Sequence, residues 1–580
     1  MDIVTAVRQY IAEMIRIAGP GMKVLLMDKE TTSMVSCVYA QSEVMQKEVF
    51  LFERIDSPAP REPIRHLKCC VFVRPTEENL ELLCRELRSP KYGQYYIYLT
   101  NVISKTDVKL LAEADEQETV REVQEFYADF VALSSHLFNL NLSNSYQSLG
   151  FGAAAMRRAR QGVCAALLSL NRRPLIRYRH SSEPASRLAE AVHNFMIKES
   201  QLFDFRASVA PPHAPPPVLL ILDRRDDAVT PLLNQWTYQA MVHELLGIQN
   251  NRVNLDSVPN IPKDMREVVL SEIQDEFYAK NLYRNFGEIG QSIKELMEEF
   301  QKRSKTHQKL ESITDMKAFV EQYPQFRKMT GTVAKHVTVV GELSRLVSLY
   351  NLMEISELEQ QLACHDEHNN SLQGIRRLLG HEKTSDLDAT RLVMLYALRY
   401  ETHPNNDIAG LVQQLRKRGV PDKYGKAVYD VLEFGGSKVR DSDLFSNLSD
   451  MTKKFMKGLK GVENIYTQHK PLLLELLDQL VKGRLKEAAY PFVGQSQGAQ
   501  QSVQQAQQTK VQDVIVFTVG GVTYEEAAAV HQFNRLYQQQ AVRVVLGGTT
   551  VHNGRSFIEE VINATQGVIR KSQPTRRPLM

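Results

Sequence analysis

The chain is short of cysteine, of net charge and of long apolar runs, and each shortage removes a class of protein. Its six cysteines (Cys37, Cys69, Cys70, Cys84, Cys164 and Cys364) stand at irregular intervals in 580 residues, with no Cys-x-x-Cys pair. That pattern fits reduced thiols of a cytosolic protein and no disulfide framework. Lys and Arg total 71 against 68 Asp and Glu, a formal net charge of +3. Such a balance gives no support for nucleic-acid binding. No run of about 18 uncharged apolar residues occurs. Ile3–Ala18 carries Arg8, Glu13 and Arg16, so it reads neither as a secretory signal nor as a membrane span. Work at a membrane would go through a partner. A G-x-x-x-x-G-K-[ST] phosphate loop is also missing.

What is present is ordinary globular material, 43% hydrophobic and 24% charged, long enough for roughly three to four domains. The first third alternates short apolar runs with helical periodicity. Met22–Asp28, Val49–Glu53, Cys70–Val73 and Tyr95–Leu99 read as strands; Ser33–Gln46, Glu77–Leu87 and Asp107–Phe130 read as helices. This alternation predicts a parallel sheet with helices on both faces. Further strands are expected at Leu175–Tyr178 and Val218–Leu222, and far downstream at Val514–Val519 and Val542–Leu546. Neither pair makes a sheet alone. One discontinuous α/β domain is therefore expected, interrupted by a mainly helical insertion from about Gln249 to Lys482. Ala207–Pro217 is proline-rich and predicts an extended linker. Gln495–Gln508 is low in complexity and predicts disorder, and Arg570–Met580 reads as a loose tail.

Few residues present a chemical case. Asp223, Asp226 and Asp227 follow a strand, where carboxylates can hold Mg²⁺ if further oxygen ligands or phosphate lie beside them. A metal- or phosphate-dependent hydrolase is the alternative function this cluster would support. The bland reading is a strand-to-helix turn. Thr230-Pro231 looks like a helix start, and Arg224 and Arg225 can pair with the acids. The bland reading is favoured. Cys364-His365-Asp366-Glu367-His368 looks like a metal cluster only superficially, because neighbours on a helix point apart. His243 and His552 lack a partner visible in sequence.

The segment Leu222–Ile248 closely resembles the signature of the SM (Sec/Munc-type) family of SNARE regulators. Lys23–Ser36 (KVLLMDKETTSMVS), Leu111–Glu118 (LAEADEQE), Lys335–Val347 (KHVTVVGELSRLV), Gly458–His469 and Val545–Asn553 (VLGGTTVHN) resemble its vacuolar-protein-sorting branch. The likeness spans essentially the whole chain, apart from the proline- and glutamine-rich stretches.

The resemblance implies an arch of three domains. These are an α/β domain at 1–135, a second α/β domain at 136–248 and 483–580, and a mainly helical domain at 249–482 with a helical hairpin near 300–350. It implies a syntaxin-type Qa-SNARE of the trans-Golgi network and endosomes as partner. A vesicle R-SNARE, the assembled SNARE bundle and a Rab effector or tether are further implied partners. The expected protein is a cytoplasmic monomer, peripheral on Golgi, endosomal and vesicle membranes. Neither catalysis, cofactor nor metal is implied.

It further implies three sites. A pocket on the first domain would take the syntaxin N-terminal peptide. With Asp107–Phe130 read as helical, Val108, Leu111 and Ala112 share one face and Val120, Val123 and Tyr127 another, with Glu125 to meet a basic peptide residue. Core packing is the equal alternative for each. Asp28 and Glu53 match positions that face the SNARE bundle, although Ala40 stands where some relatives have lysine. Thr314–Phe326 and Val333–Val347 resemble the two arms of the hairpin. Met316, Phe319 and Tyr323 fall at helical spacing in the first, and Val333, Val337, Val340 and Val347 in the second. Pro324 should break the first arm and fold its tip back, at about 3 kcal/mol for a helix interior. Gly331 would be a second weak point.

Overall fold

A computed structural model describes residues 1–205, 215–307, 313–440, 444–445, 465–494 and 511–566, with backbone alone over 303–307 and 313–327. The chain opens with α1 (Ile3–Ile17), β1 (Lys23–Met27), α2 (Lys29–Val38), α3 (Gln41–Met45), β2 (Val49–Arg54), β3 (Ile64–Val73), α4 (Glu77–Arg88), β4 (Tyr92–Leu99), α5 (Lys105–Ala114) and β5 (Val120–Glu125). The five strands form a parallel sheet in the order β2-β1-β3-β4-β5. Both faces of β1 are covered, which is why Lys23–Met27 shows no polar alternation. Val24 and Leu26 meet Leu80, Leu83 and Leu87 of α4 and Leu111 and Ala114 of α5. Leu25 and Met27 join the large core that includes Ile11 and Met14 of α1.

The chain then crosses to a second sheet through β6 (Val131–Ser134) and β7 (Leu137–Asn139). There follow the short pair β8 (Tyr146–Gln147) and β9 (Gly150–Phe151), α6 (Ala153–Ser169), β10 (Leu175–Tyr178), α7 (Glu183–Lys198) and β11 (Val218–Asp223). After α8 (Tyr238–Leu245) comes a small hairpin, β12 (Arg252–Asn254) with β13 (Glu267–Val269). The helices of the insertion named among the described residues are α9 (Glu276–Asn281), α10 (Phe286–His307), α11 (Ile313–Leu349), α12 (Leu352–Cys364), α13 (His368–Leu379), α14 (Asp386–Tyr400), α15 (Ile408–Arg418), α16 (Asp422–Gly435) and α17 (Leu472–Val481). The chain then returns as β14 (Asp513–Val519), β15 (Val522–Thr523), α18 (Tyr524–Leu536), β16 (Arg543–Gly548), β17 (Val551–His552) and α19 (Gly554–Ala564). The second sheet has the order β10-β11-β14-β16-β7-β6. Val218 pairs with Val514, and Val514 with Val544, so the expected discontinuous sheet forms across the insertion.

Three expectations need correction. Asp107–Phe130 is not one helix: α5 ends at Ala114, and Val120–Glu125 is the edge strand of the first sheet. Asp115 ends the helix, its carboxylate accepting the Thr119 and Val120 N–H groups at 2.8 and 2.9 Å. A boundary at 135 would cut the antiparallel β6–β7 hairpin; the crossing between sheets lies between Glu125 and Val131. The two expected hairpin arms, Thr314–Phe326 and Val333–Val347, are one continuous helix, α11, which passes through both Pro324 and Gly331. The hairpin is α10 against α11. The side chains of Met316, Phe319, Tyr323 and Pro324 lie outside the described residues, as do Ala207–Ala214 of the proline-rich stretch, Gln495–Gln508 and Arg570–Met580.

Among the described residues no helix is long and apolar enough to cross a membrane.

Candidate functional site: the signature turn and its surroundings

The acid cluster lies at the carboxyl end of β11, where ligands of open α/β sheets usually bind. Here the chain itself fills that crevice. Asp223 is buried; its carboxylate accepts the Tyr146 hydroxyl, the Ser182 hydroxyl at 2.5 Å and the Arg225 N–H at 2.9 Å. Asp226 pairs with Arg179 at 3.0 Å. Asp227 accepts the N–H and hydroxyl of Thr230 at 2.9 and 2.6 Å, and lies 3.4 Å from Arg224. Burial opposes the charge on Asp227, yet Arg224, His469 and the Thr230 hydrogen bonds outweigh it and hold its pKa below the usual carboxylate range. Arg224 also meets both carboxylate oxygens of Glu526 at 2.8 Å. Arg225 donates to the Phe434 carbonyl at 2.8 Å rather than to an acid.

Among the described residues no group of three His, Cys, Asp or Glu is placed to hold a metal ion. Thr230-Pro231 starts only a three-residue 3₁₀ turn, with Asp227 as the residue that accepts its N–H groups. The Gly520-Gly521 turn is explained by close approach. Gly520 and Gly521 have φ of +85° and +95°. A Cβ at Gly520 would stand 2.6 Å from the Tyr146 hydroxyl, and one at Gly521 2.6 Å from the His552 ring. His552 lies between the Gly520 carbonyl (2.9 Å) and the Ser556 hydroxyl (3.0 Å), and burial pushes its pKa down to about 3. His243 spans the Val551 carbonyl and the Ile248 N–H, with its pKa also lowered by burial, to about 4. Both histidines are packed joints. His365 and His368 diverge: one reaches Gln468 at 2.8 Å, the other Tyr396 at 2.9 Å.

Downstream of the turn, the signature binds the insertion. Asn234 donates its N–H and amide to Glu359 of α12 at 2.7 and 3.0 Å. The Trp236 indole donates to Ser356 at 3.0 Å. Tyr238 meets His336 of α11 at 2.8 Å. Glu244 meets Arg391 of α14 at 2.8 Å, and Arg391 also contacts Asp388 and Glu359. Sequence reading missed this hub, because no local pattern joins residues 147 positions apart.

The other expected site residues divide by burial. Asp28 is buried beneath the surface, capping α2 through Thr31 at 2.7 Å and holding the Arg74 N–H and the Asn79 amide, each at 2.8 Å. It supports the sheet end and does not face outward. Glu53 is half-buried, bonded to the Tyr92 hydroxyl and 3.8 Å from Arg61. Leu111 belongs to the core between sheet and helices, and Val120 packs beside it. Val108, on α5, and Val123, on the edge strand β5, are each 39% exposed, and Ala112 is exposed. Glu125 accepts the Ile103 N–H at 2.8 Å and the Tyr127 hydroxyl at 2.7 Å, so it braces the edge. Leu110, also on α5, is 49% exposed. Val333, Val337 and Val340 are half-buried along α11.

A model of the Sec1 family matches residues 23–560. The chain belongs to the Sec1 family of SM proteins. It is 60% identical over 565 residues to vacuolar protein sorting-associated protein 45 of Homo sapiens, covering 97% of this chain and 96% of that one. The protein of the same name from Saccharomyces cerevisiae is 37% identical, with 94% of each chain covered. A solved structure described as the SM protein Vps45 in complex with the Qa SNARE Tlg2 superposes with a TM-score of 0.89 at 44% identity, over 97% of this chain and 98% of that one. The Unc18–syntaxin 1 complex from Monosiga brevicollis gives 0.76 at 20% identity, and so shows the fold alone. The SM fold accounts for a parallel sheet, a second sheet that is parallel except for β6, and a helical insertion in one chain.

Proposed function

We propose that this SM protein binds a syntaxin-type Qa-SNARE of the trans-Golgi network and endosomes and templates SNARE assembly for vesicle fusion. The observation that carries this is the end-to-end likeness, at 44% identity, to a chain whose solved structure holds a Qa-SNARE. Val108 of α5 and Val123 of the edge strand β5 would anchor the N-terminal peptide of that SNARE, because each is an exposed aliphatic side chain on the first domain. Glu53 would line the SNARE cleft, with Asp28 holding the sheet end beneath it. The hairpin of α10 and α11 would receive a vesicle R-SNARE along Val333, Val337 and Val340, and the assembled bundle after it. The division into domains near 1–130, 131–248 with 483–580, and 249–482 follows the two sheets and the insertion.

On this reading the protein is a monomer that reaches Golgi, endosomal and vesicle membranes through its SNAREs and a Rab effector or tether. A binding assay with the cytosolic part of a trans-Golgi Qa-SNARE, with and without its N-terminal peptide, tests it. Capture that weakens when the peptide is removed is expected; no capture of either form would refute the proposal.

A further inference from the structure

The long helix α11 is anchored by a polar contact where an apolar one would be ordinary. Among its described side chains, Lys328 to Lys335 are exposed or half-buried, and His336 is the first that is fully buried, at 0% exposure. Its ring is enclosed by Phe277, Tyr278 and Tyr238, with centroids 4.6, 6.4 and 5.9 Å away. Both nitrogens are engaged: Nδ1 with the Tyr238 hydroxyl at 2.8 Å, and Nε2 with Asp275 Oδ2 at 2.8 Å. A neutral imidazole satisfies this pair in one arrangement. Nδ1 accepts from the tyrosine and Nε2–H donates to the carboxylate.

Each partner is itself fixed. Asp275 Oδ1 accepts the Tyr278 N–H at 2.9 Å at the start of α9. Lys335 reaches the same carboxylate and the Val269 carbonyl of β13. Tyr238 opens α8, directly after the signature turn. A hydrophobic contact tolerates rotation of a helix about its axis, whereas two hydrogen bonds on opposite edges of one ring do not. One residue step turns a helix face by about 100°. The direction in which Val333 and Val337 point is therefore set by the ring of the residue between them.

We propose that His336, clamped between Tyr238 and Asp275, is a positioning residue that fixes the rotational setting of α11 and so presents the hairpin's docking stripe to the SNAREs. This rests on the hairpin reading given under the proposed function. The clamp also joins the stripe to the second sheet, since Tyr238 belongs to the signature segment and His336 to the hairpin.

The test compares His336→Leu and Tyr238→Phe with His336→Gln in the full chain. Leucine keeps the bulk and loses both hydrogen bonds. Phenylalanine removes one hydroxyl and keeps the ring. Glutamine can restore a donor and an acceptor. Three quantities are read: hydrogen exchange of the α11 amides from Lys328 to Lys335, the distance between spin labels at Thr332→Cys and Asp264→Cys, and binding of a soluble vesicle R-SNARE motif. The Leu and Phe variants are expected to raise exchange about tenfold and to shift or broaden the distance. R-SNARE binding should weaken about fivefold or more while N-terminal peptide binding at the first domain is unchanged. The Gln variant should recover most of each. Unchanged exchange and distance in Tyr238→Phe, which preserves the packing, would overturn the clamp. A shifted hairpin with unchanged R-SNARE affinity would uphold the clamp and overturn the hairpin as the docking site.

Discussion

Arg224 and Glu526 stand 302 positions apart in the chain and 2.8 Å apart in the fold. Arg224 belongs to the signature turn and Glu526 to the first turn of α18, beyond the helical insertion. Burial pushes the Glu526 pKa up, against the pull of Arg224; contact with both carboxylate oxygens marks the pair as ionic. Removing one partner of a buried pair strands the other. Arg224→Ala is therefore expected to cost about 3–5 kcal/mol in urea unfolding. The double substitution Arg224→Met with Glu526→Met should recover part of that loss. A single-variant cost below about 1 kcal/mol would show that the pair does not hold the two halves of the domain together.

Glu359 gives the protein an alkaline-side weakness. It is fully buried, and burial raises its pKa to about 8, against the lowering effects of Arg391 and Asn234. A carboxyl whose folded pKa lies above its unfolded value favours folding at low pH. That contribution is complete below about 4.3, the ordinary glutamate value, and is lost as pH rises through about 8. Glu359→Gln mimics the protonated form, with the Asn234 amide turned to accept. Its stability should fall less than that of the parent protein between pH 6 and pH 8.5. Parallel stability curves for the two proteins would contradict the assignment.

Val108→Arg tests the exposed face of α5. Val108 is already 39% exposed, so the substitution should leave thermal unfolding within about 2 °C. Affinity for the isolated Qa-SNARE N-terminal peptide should drop about tenfold or more. Leu111→Arg is the contrasting variant. Leu111 is buried in the core under the sheet, so that substitution should unfold the domain. Full peptide affinity in a stable Val108→Arg protein would move the site elsewhere.

Pro324 lies inside the continuous helix α11. Proline in a helix interior costs about 3 kcal/mol relative to alanine. Pro324→Ala should therefore slow exchange of the neighbouring α11 amides and strengthen vesicle-SNARE binding, since less work is needed to hold the helix straight. Equal exchange and equal affinity would show that the proline carries no conformational bias.

The sequence by itself determined four strands of each main sheet, the discontinuity and the family. Runs such as Val218–Leu222 and Val514–Val519 are apolar on both faces, which only a covered parallel sheet accommodates. Their need for neighbours already implied that they pair across the insertion, as they do. Local pattern failed at Val120–Glu125, where the preceding helix carried the 3.6 spacing onward, and at Pro324, where intrinsic cost argued for a break. A free edge beside β4 and the continuity of α11 overrode those preferences. Only the tertiary structure decided what the acids do. Asp223, Asp226 and Asp227 have the same composition in a metal site and in a turn. Their role follows from Tyr146, Ser182, Arg179 and Thr230 reaching them first, and three of those donors are remote in sequence. Buried charge must be paired wherever the fold brings a partner, and periodicity holds no record of partners that far away.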